Sequence, residues 1–216
     1  MVSNRPSDDV LMAYAAGTLA QGPALVVAAH LVLCPESAER ARKFESLSGV
    51  LLEHAPKAEL STDALEQTLA LIDSQPAAET PPRGNWLADL PSDMALPSLL
   101  RHYDIGKWRF LAPGVQWSSI GTGGPARARP MLLRSRPGMV LPEHTHAGTE
   151  YTLVLKGSLH DAMGDYRVGD LIVADASVEH EPVAGPDDEC ICLAAVDGRL
   201  RMKSLIGRIV QPLLGF

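Results

Sequence analysis

The stretch GMVLPEHTHAGTEYTLVLKG, residues 138–157, decides the fold of this chain. His144 and His146 are two residues apart, so on an extended strand both imidazole rings leave the same face of the sheet. Glu150 follows a small-residue break, Ala147-Gly148, which can return the chain to that face. Two imidazoles and a carboxylate on one face are suitable ligands for Zn, Fe, Mn, Ni or Cu. The stretch therefore predicts a metal site on a β-sheet.

A second stretch supplies a further ligand. Residues 166–174, YRVGDLIVA, contain a turn at Gly169-Asp170 that opens a hydrophobic strand, and His180 follows shortly after it. The order His-x-His, Glu, Gly, then Gly-Asp and a late His resembles the two-part motif of the cupin superfamily, which consists of small β-barrels of the jelly-roll type. By this resemblance the metal ligands are His144, His146, Glu150 and His180. The resemblance implies one divalent transition metal, with zinc expected first and iron, manganese or nickel as alternatives.

The second half of this motif departs from the usual cupin pattern. Asp175 stands where a proline is common and Ser177 where a glycine is common, although the ligand after them is in place. Glu143 and His160 are candidates for contacts around the metal ligands, but the sequence favours a solvent-facing position for both. No nucleophile or second acid–base pair stands out beside the predicted metal, so the sequence predicts no catalytic residue.

Composition limits the classes of protein to consider. With 216 residues, 46% hydrophobic and 21% charged, the chain resembles an ordinary soluble globular protein. Its net charge of −7 argues against general nucleic-acid binding, since no basic stripe offsets the repulsion. The chain has only three cysteines, a small and odd number that argues against a disulfide framework. Because the sequence also lacks a signal peptide or a membrane-spanning run, we expect a cytoplasmic protein.

The first 75 residues predict a small helical domain. Ser7-Asp8-Asp9 is a good N-cap with acidic first-turn residues, and Gly17 is a plausible end of that helix. Further helices are predicted over 24–33, 36–54 and 61–73, the last with a capping box between Asp63 and Glu66. Ten acidic residues against five basic ones make this segment acidic. An acidic helical module suits a basic protein partner, and a solvated surface without a partner explains the charge equally well.

The helical segment carries a second resemblance. Residues 8–19, DDVLMAYAAGTL, and 26–35, VVAAHLVLCP, are similar to the zinc-binding anti-sigma domain, and its pairing with a cupin resembles the ChrR family of anti-sigma factors. That family's zinc ligands are an N-terminal His followed by His-x-x-x-Cys-x-x-Cys. His30 and Cys34 match this pattern, whereas Arg5 stands near the first His and Ser37 replaces the second Cys. Structural zinc needs four ligands, so we interpret His30 and Cys34 as remnants of a zinc site.

The whole chain is therefore predicted to be an α+β protein with three parts: a helical domain over residues 1–75, a proline-rich linker over 76–95 and a cupin domain over 96–216. Strands are predicted near 107–111, 114–120, 128–134, 151–155, 171–174, 189–196 and 200–206. Cys190 and Cys192 share one face of a hydrophobic strand. Residues i and i+2 of a regular strand have poor disulfide geometry, so buried inert thiols are favoured over a redox pair. The ChrR resemblance includes a Cys-x-Cys at this place.

The ChrR resemblance extends from about residue 8 to the end of the chain and implies a function. The helical domain would bind an extracytoplasmic-function sigma factor, and the cupin would sense singlet oxygen or an organic hydroperoxide and trigger release. Two alternatives stay open. One is a metal-dependent cupin dioxygenase whose helical domain serves only for homodimerisation, and the other is a metal-dependent binder of small molecules without chemistry.

Overall fold

The fold consists of an N-terminal group of helices packed on an antiparallel β-structure. A computed structural model describes residues 2–75, 90–122, 129–141, 144–146, 148–178, 180–198 and 200–202, with the backbone alone at 144–146 and 200–202. Most of the predicted linker, Glu143 and the C-terminal segment after residue 202 lie outside this part of the chain. None of the helices within it combines the length and the apolar character that a membrane span requires.

Four α-helices form in the N-terminal segment, as the sequence predicts. They are α1 (Asp8–Ala15), α2 (Gln21–Leu33), α3 (Pro35–Glu53) and α4 (Ala64–Ser74). The predicted N-cap of α1 is confirmed, because the Ser7 hydroxyl accepts a hydrogen bond from the backbone N–H of Val10. The predicted capping box is wrong: the Asp63 side chain caps no backbone N–H and instead accepts from the Gln67 amide at 2.6 Å.

Twelve strands occur in the described part of the second half, preceded by a short 3₁₀ helix, Ser98–His102. They are β1 (Asp104–Ile105), β2 (Arg109–Ala112), β3 (Val115–Gly121), β4 (Met131–Ser135), β5 (His144–His146), β6 (Thr149–Lys156), β7 (Ser158–Asp161), β8 (Gly164–Arg167), β9 (Leu171–Ala174), β10 (Val183–Ala184), β11 (Cys190–Asp197) and β12 (Leu200–Met202). The β7–β8 hairpin has no counterpart among the predicted strands.

The strands form one large sheet and two small ones, and all pairings are antiparallel. The large sheet has the order β1-β3-β4-β11-β6-β9, with β2 also paired to β3. A three-stranded sheet has the order β10-β7-β8, and β5 pairs with β12. Strands far apart in sequence are neighbours, as in the jelly-roll arrangement that the sequence predicts.

The two central strands, β6 and β11, are buried on both faces. Leu153 and Leu155 of β6, like Leu193 of β11, belong to a core that also contains residues of α2. The alternate positions Val154 and Cys192 belong to a second core on the opposite face of the sheet. Because successive side chains of a strand point to opposite faces, one face of this sheet lines the barrel interior and the other is covered by helices.

The helical and β segments therefore share one hydrophobic core. Val26, Val27 and Ala29 of α2 are fully buried in the same cluster as Leu153 and Leu193. Full burial of each of these aliphatic side chains stabilises the folded state by about 1.5–3 kcal/mol, and by less for the smaller alanine. The sequence predicts two domains with a linker, and the structure adds that α2 packs directly on the cupin sheet.

Gly148, at the small-residue break before β6, is expected to be sensitive to substitution. A Cβ atom at this position would lie 1.6 Å from the carbonyl oxygen of Asp197 in the neighbouring strand. Backbone atoms cannot move away cheaply, so Gly148→Ala is expected to lower the free energy of unfolding by at least about 2 kcal/mol. Chemical denaturation measures this change.

Gly49 provides the matched control for this prediction. It lies in the exposed part of α3, and a Cβ there would meet nothing within 4 Å. Gly49→Ala is expected to be neutral or stabilising by up to about 1 kcal/mol, since alanine is the better helix former. Equal stability of Gly148→Ala and the wild type would contradict the close approach of β6 to residue 197.

Candidate metal site

Two of the four predicted metal ligands lie together in the described structure. Glu150 near the start of β6 and His180 after β9 are both buried, with 8% and 6% of their surfaces exposed. His180 Nε2 is 3.8 Å from Glu150 Oε2. Two ligand atoms bound tetrahedrally to one zinc ion are roughly 3.3 Å apart, because each bond is about 2.0 Å long. The pair is therefore close to the separation that a shared metal requires.

Asp161, at the end of β7, fixes the orientation of His180. Its side chain is fully buried, and its Oδ2 accepts a hydrogen bond from His180 Nδ1 at 3.0 Å. A carboxylate can only accept, so the ring proton must lie on Nδ1. With a metal bound, the second ring nitrogen, Nε2, would present its lone pair to the ion beside Glu150. This is the arrangement that a metal-binding histidine needs.

The other carboxylate oxygen of Asp161 is held by the β7–β8 hairpin. Asp161 Oδ1 accepts hydrogen bonds from the backbone N–H groups of Met163 and Gly164, at 2.8 and 3.2 Å, and from the Tyr166 hydroxyl at 3.3 Å. Burial, followed by the charge of Asp161, raises the pKa of Tyr166 to about 12. The phenol therefore stays a neutral donor at physiological pH.

Glu150 is also oriented by a neighbouring polar group. Its Oε1 accepts a hydrogen bond at 2.8 Å from the hydroxyl of Thr152, which lies on the same face of β6. The second oxygen, Oε2, is the one near His180. The two carboxylate oxygens of Glu150 thus have different surroundings, which fixes the plane of the group.

The side chains of His144 and His146 lie outside the described part of the structure. Their backbone forms strand β5, paired with β12. Among the side chains that are described, no group of three or more His, Cys, Asp and Glu is arranged to hold a metal ion. The four-ligand set thus stays a prediction. Glu143 is likewise outside the described residues, and His160 lies on β7 with a partly buried side chain.

Cys190 and Cys192 are both buried free thiols on β11, with their sulfur atoms 3.6 Å apart. The hydrogen bond with Cys190 and then burial, with a further contribution from Glu150, raise the pKa of Cys192 well above its usual value. A protonated buried thiol is a poor nucleophile, so this environment favours an unreactive Cys192.

His30 and Cys34 lie at the junction of α2 and α3, where the sequence predicts a remnant zinc site. Both are completely buried, as is Ser37 apart from 3% of its surface. His30 Nδ1 contacts the carbonyl oxygen of Gly169 in the β8–β9 turn at 2.8 Å. This cluster thus bridges the helical segment and the cupin sheet.

Asp161 is the residue of the candidate site that the sequence did not indicate. An Asp two residues before the backbone N–H of Met163 is a signal for an Asx turn, which could have located the hairpin. The signal does not reveal the partner of the second carboxylate oxygen, because His180 is nineteen residues further along the chain.

Comparisons with known proteins agree with this architecture. Residues 98–197 match the family model of the ChrR cupin-like domain. The chain is 39% identical, over 98% of its length and 97% of the relative, to the anti-sigma-E factor ChrR of Cereibacter sphaeroides. It also resembles a chain in the crystal structure of Rhodobacter sphaeroides SigE in complex with the anti-sigma ChrR. The TM-score is 0.70, and the two chains are 35% identical over a match that covers 91% of this chain and 100% of that one. Four helices followed by a cupin, with this degree of identity over nearly the full length, show that the chain belongs to the ChrR family of anti-sigma factors.

Proposed function

We propose that this protein binds an extracytoplasmic-function sigma factor in the cytoplasm and releases it when its cupin domain senses an oxidant. The observation that carries the first half is an exposed apolar surface on the helical segment, in a chain whose relative ChrR is described in a complex with SigE. The second half rests on the buried pair of predicted metal ligands in the cupin.

Exposed apolar residues lie at the end of α3 and along α4, and we refer to them together as the α3–α4 surface. Its residues are Leu47, Val50, Leu51, Leu65, Leu69 and Ile72, of which each is at least 50% exposed. Helix α4 buries none of its eleven residues. An isolated helix of this length is only marginally stable in water, so a partner that covers its apolar face would stabilise it. This favours a binding surface over a simply solvated one.

The charge of the helical segment supports a protein partner. Its ten acidic and five basic residues give a net charge of −5, most of the −7 of the whole chain. A basic surface on the sigma factor would be attracted by this field and would associate faster at low ionic strength. The proposed partner therefore has an apolar patch with basic surroundings.

The cupin would hold its metal through His144, His146, Glu150 and His180. When bound, a metal with one or two open coordination positions can act as a Lewis acid or interact with an oxidant. The described residues fit such an ion, because Asp161 holds the His180 ring in the tautomer that binds metals. Zinc is our first expectation, as in the sequence-based prediction. Singlet oxygen and organic hydroperoxides are the proposed signals.

Release requires that the oxidised protein binds the sigma factor less tightly than the resting protein does, since a signal without differential affinity shifts no equilibrium. The complex of the metal-loaded protein with its sigma factor can be treated with a photosensitiser and light, or with cumene hydroperoxide, and analysed by size-exclusion chromatography. We expect the metal-loaded complex to release the sigma factor after either treatment. The complex that is kept with the photosensitiser in the dark should release none. Equal release from a chelator-stripped complex would contradict a metal-dependent sensor.

Asp161→Asn is expected to weaken metal binding by about 10- to 100-fold. An asparagine can still accept at Oδ1 from the hairpin, but its amide group would donate toward His180 Nδ1. The ring proton would then move to Nε2, the nitrogen that faces Glu150. Competition with a chromophoric chelator measures the affinity.

Asp165→Asn is the matched control for this substitution, because Asp165 is an exposed residue of the same hairpin. It removes the same charge without contacting His180, so the metal affinity should stay within about twofold of the wild type. If both variants bind the metal as the wild type does, Asp161 has no role in holding His180 for a metal.

A further inference from the structure

The cluster at the α2–α3 junction is a continuous set of buried polar contacts. His30 Nδ1 lies 2.8 Å from the carbonyl oxygen of Gly169, and His30 Nε2 lies 2.9 Å from the Ser37 hydroxyl. Cys34 Sγ lies 3.3 Å from the same hydroxyl and 3.4 Å from a carboxylate oxygen of Glu36. Both ring nitrogens of His30 are therefore engaged by protein atoms.

These residues do not fit a structural zinc ion. Zinc in such a site needs four nitrogen or sulfur ligands, and only His30 and Cys34 are of that kind. Ser37 replaces a thiolate by a hydroxyl that already contacts the ring. Arg5, near the position of the first family ligand, is a permanent cation whose guanidinium lies 3.8 Å from the Glu36 carboxylate.

The protons of the cluster have one consistent arrangement with a neutral ring. The Gly169 carbonyl can only accept, so Nδ1 of His30 carries the ring proton and Nε2 accepts. The single proton of the Ser37 hydroxyl then goes to Nε2 rather than to the Cys34 sulfur, and the Cys34 thiol donates to the Glu36 carboxylate. Burial lowers the pKa of His30, and the nearby Arg5 adds to this, while the Gly169 bond and Asp170 oppose it. The neutral ring matches this environment.

A second set of contacts holds the same turn of the cupin. The buried Asp170 accepts hydrogen bonds at Oδ1 from the backbone N–H groups of Ser3 and Asn4, at 2.6 and 2.9 Å. The backbone N–H of Leu171 donates to the carbonyl of Asn4 at 3.0 Å. The N-terminal residues and the end of α2 thus converge on the β8–β9 turn from two directions.

We propose that His30, Ser37 and Cys34 form a metal-free clamp that fastens the helical segment to the β8–β9 turn of the cupin. In this chain the protein's own hydrogen bonds take the place of a zinc ion. His30, which would otherwise be a metal ligand, donates its ring proton to the carbonyl oxygen of Gly169 in the cupin. The clamp requires neither a bound sigma factor nor a metal in the cupin.

The test compares metal content and stability in the full chain. Cys34→Ser removes the one thiolate that zinc would need and retains a donor for Glu36. We expect the same zinc content per chain as in the wild type, measured by mass spectrometry of the elements. A loss of one zinc equivalent in this variant would overturn the proposal.

Ser37→Ala tests the clamp itself, because it leaves His30 Nε2 buried without the hydroxyl. We expect the melting temperature to fall by about 3–8 °C. We also expect faster hydrogen exchange of the amides at residues 169–171 in the cupin. Ser46→Ala is the control, since Ser46 is an exposed serine of the same helix, and neither quantity should change. Unchanged exchange at residues 169–171 in Ser37→Ala would overturn the clamp.

A measurement on the unmodified protein covers the case in which Ser37→Ala does not fold. Nitrogen-15 NMR of the histidine-labelled full chain, with the His30 signals distinguished from those of His180 by their persistence in His180→Ala, should show the His30 ring protonated at Nδ1 with an unprotonated Nε2. Its signals should not move when a strong zinc chelator is added. A shift of these signals on chelation would overturn the proposal.

Discussion

Replacing both Leu69 and Ile72 by glutamate is expected to weaken binding of the sigma factor by at least about 100-fold. The two residues lie on one face of α4 and are 52% and 63% exposed. Each would be an apolar anchor for the sigma factor, and loss of such an anchor typically costs about 2 kcal/mol or more. The added carboxylates would also lose their hydration against the apolar surface of the partner, which further weakens binding. Calorimetry with the SigE-type sigma factor of the same organism measures the affinity.

The double variant should remain folded, because α4 contributes no buried residue to the core. Phe110→Glu is a suitable control: this side chain is 74% exposed but lies on β2, in the cupin. The Phe110→Glu variant should bind the sigma factor with the affinity of the wild type. If the α4 variant binds as tightly as the wild type, the sigma factor does not use the α3–α4 surface. If the wild type binds no sigma factor at all, the proposed function itself is wrong.

His180→Ala is expected to lower the affinity of the cupin for its metal by more than about 100-fold. Changes in residues that merely orient a ligand typically cost 10- to 100-fold, and removal of the ligand itself should cost more. The variant also leaves Asp161 buried without its ring partner and Glu150 without its neighbour at 3.8 Å. Metal content after dialysis against a weak chelator is the measurement.

His102→Ala is the control for this experiment, because His102 is exposed at the end of the 3₁₀ helix before β1. It should retain the metal. The His180 variant should still bind the sigma factor, since the α3–α4 surface contains no cupin residue, but it should no longer release the sigma factor on oxidation. Full metal content in His180→Ala would show that the ion lies elsewhere or that His180 is not a ligand.

Local sequence signals predicted most of the element order. Ser7 caps α1 because its hydroxyl competes well for a free backbone N–H, and this needs no tertiary information. The boundaries of α2 were harder, because its buried face is almost continuous and gives little periodicity. The helix starts at Gln21, three residues before the predicted start. The capping box failed because Asp63 found a closer partner in Gln67.

The close approach of two predicted ligands follows from the sequence motif, whereas the position of Asp161 does not. The motif predicts His180 and Glu150 as ligands from their residue type and spacing, and the structure brings these two side chains within 3.8 Å of each other. Asp161 could not be assigned from sequence, because its role depends on a strand pairing that brings the β7–β8 hairpin beside the loop of His180. Metal-ligand motifs specify the spacing of the ligands, but not the position of a residue that only orients one of them.

The sequence by itself determined the four helices and most of the strands, predicted a set of metal ligands for the cupin, and indicated that neither Arg5 nor Ser37 supplies a zinc ligand. Hydrophobic period, capping and donor type are local properties, so they can be read along the chain. Only the tertiary structure decided that α2 shares a core with β6 and β11, and that His30 donates to Gly169. Those contacts join residues more than a hundred positions apart, and burial selects them from many alternatives that look equivalent in sequence.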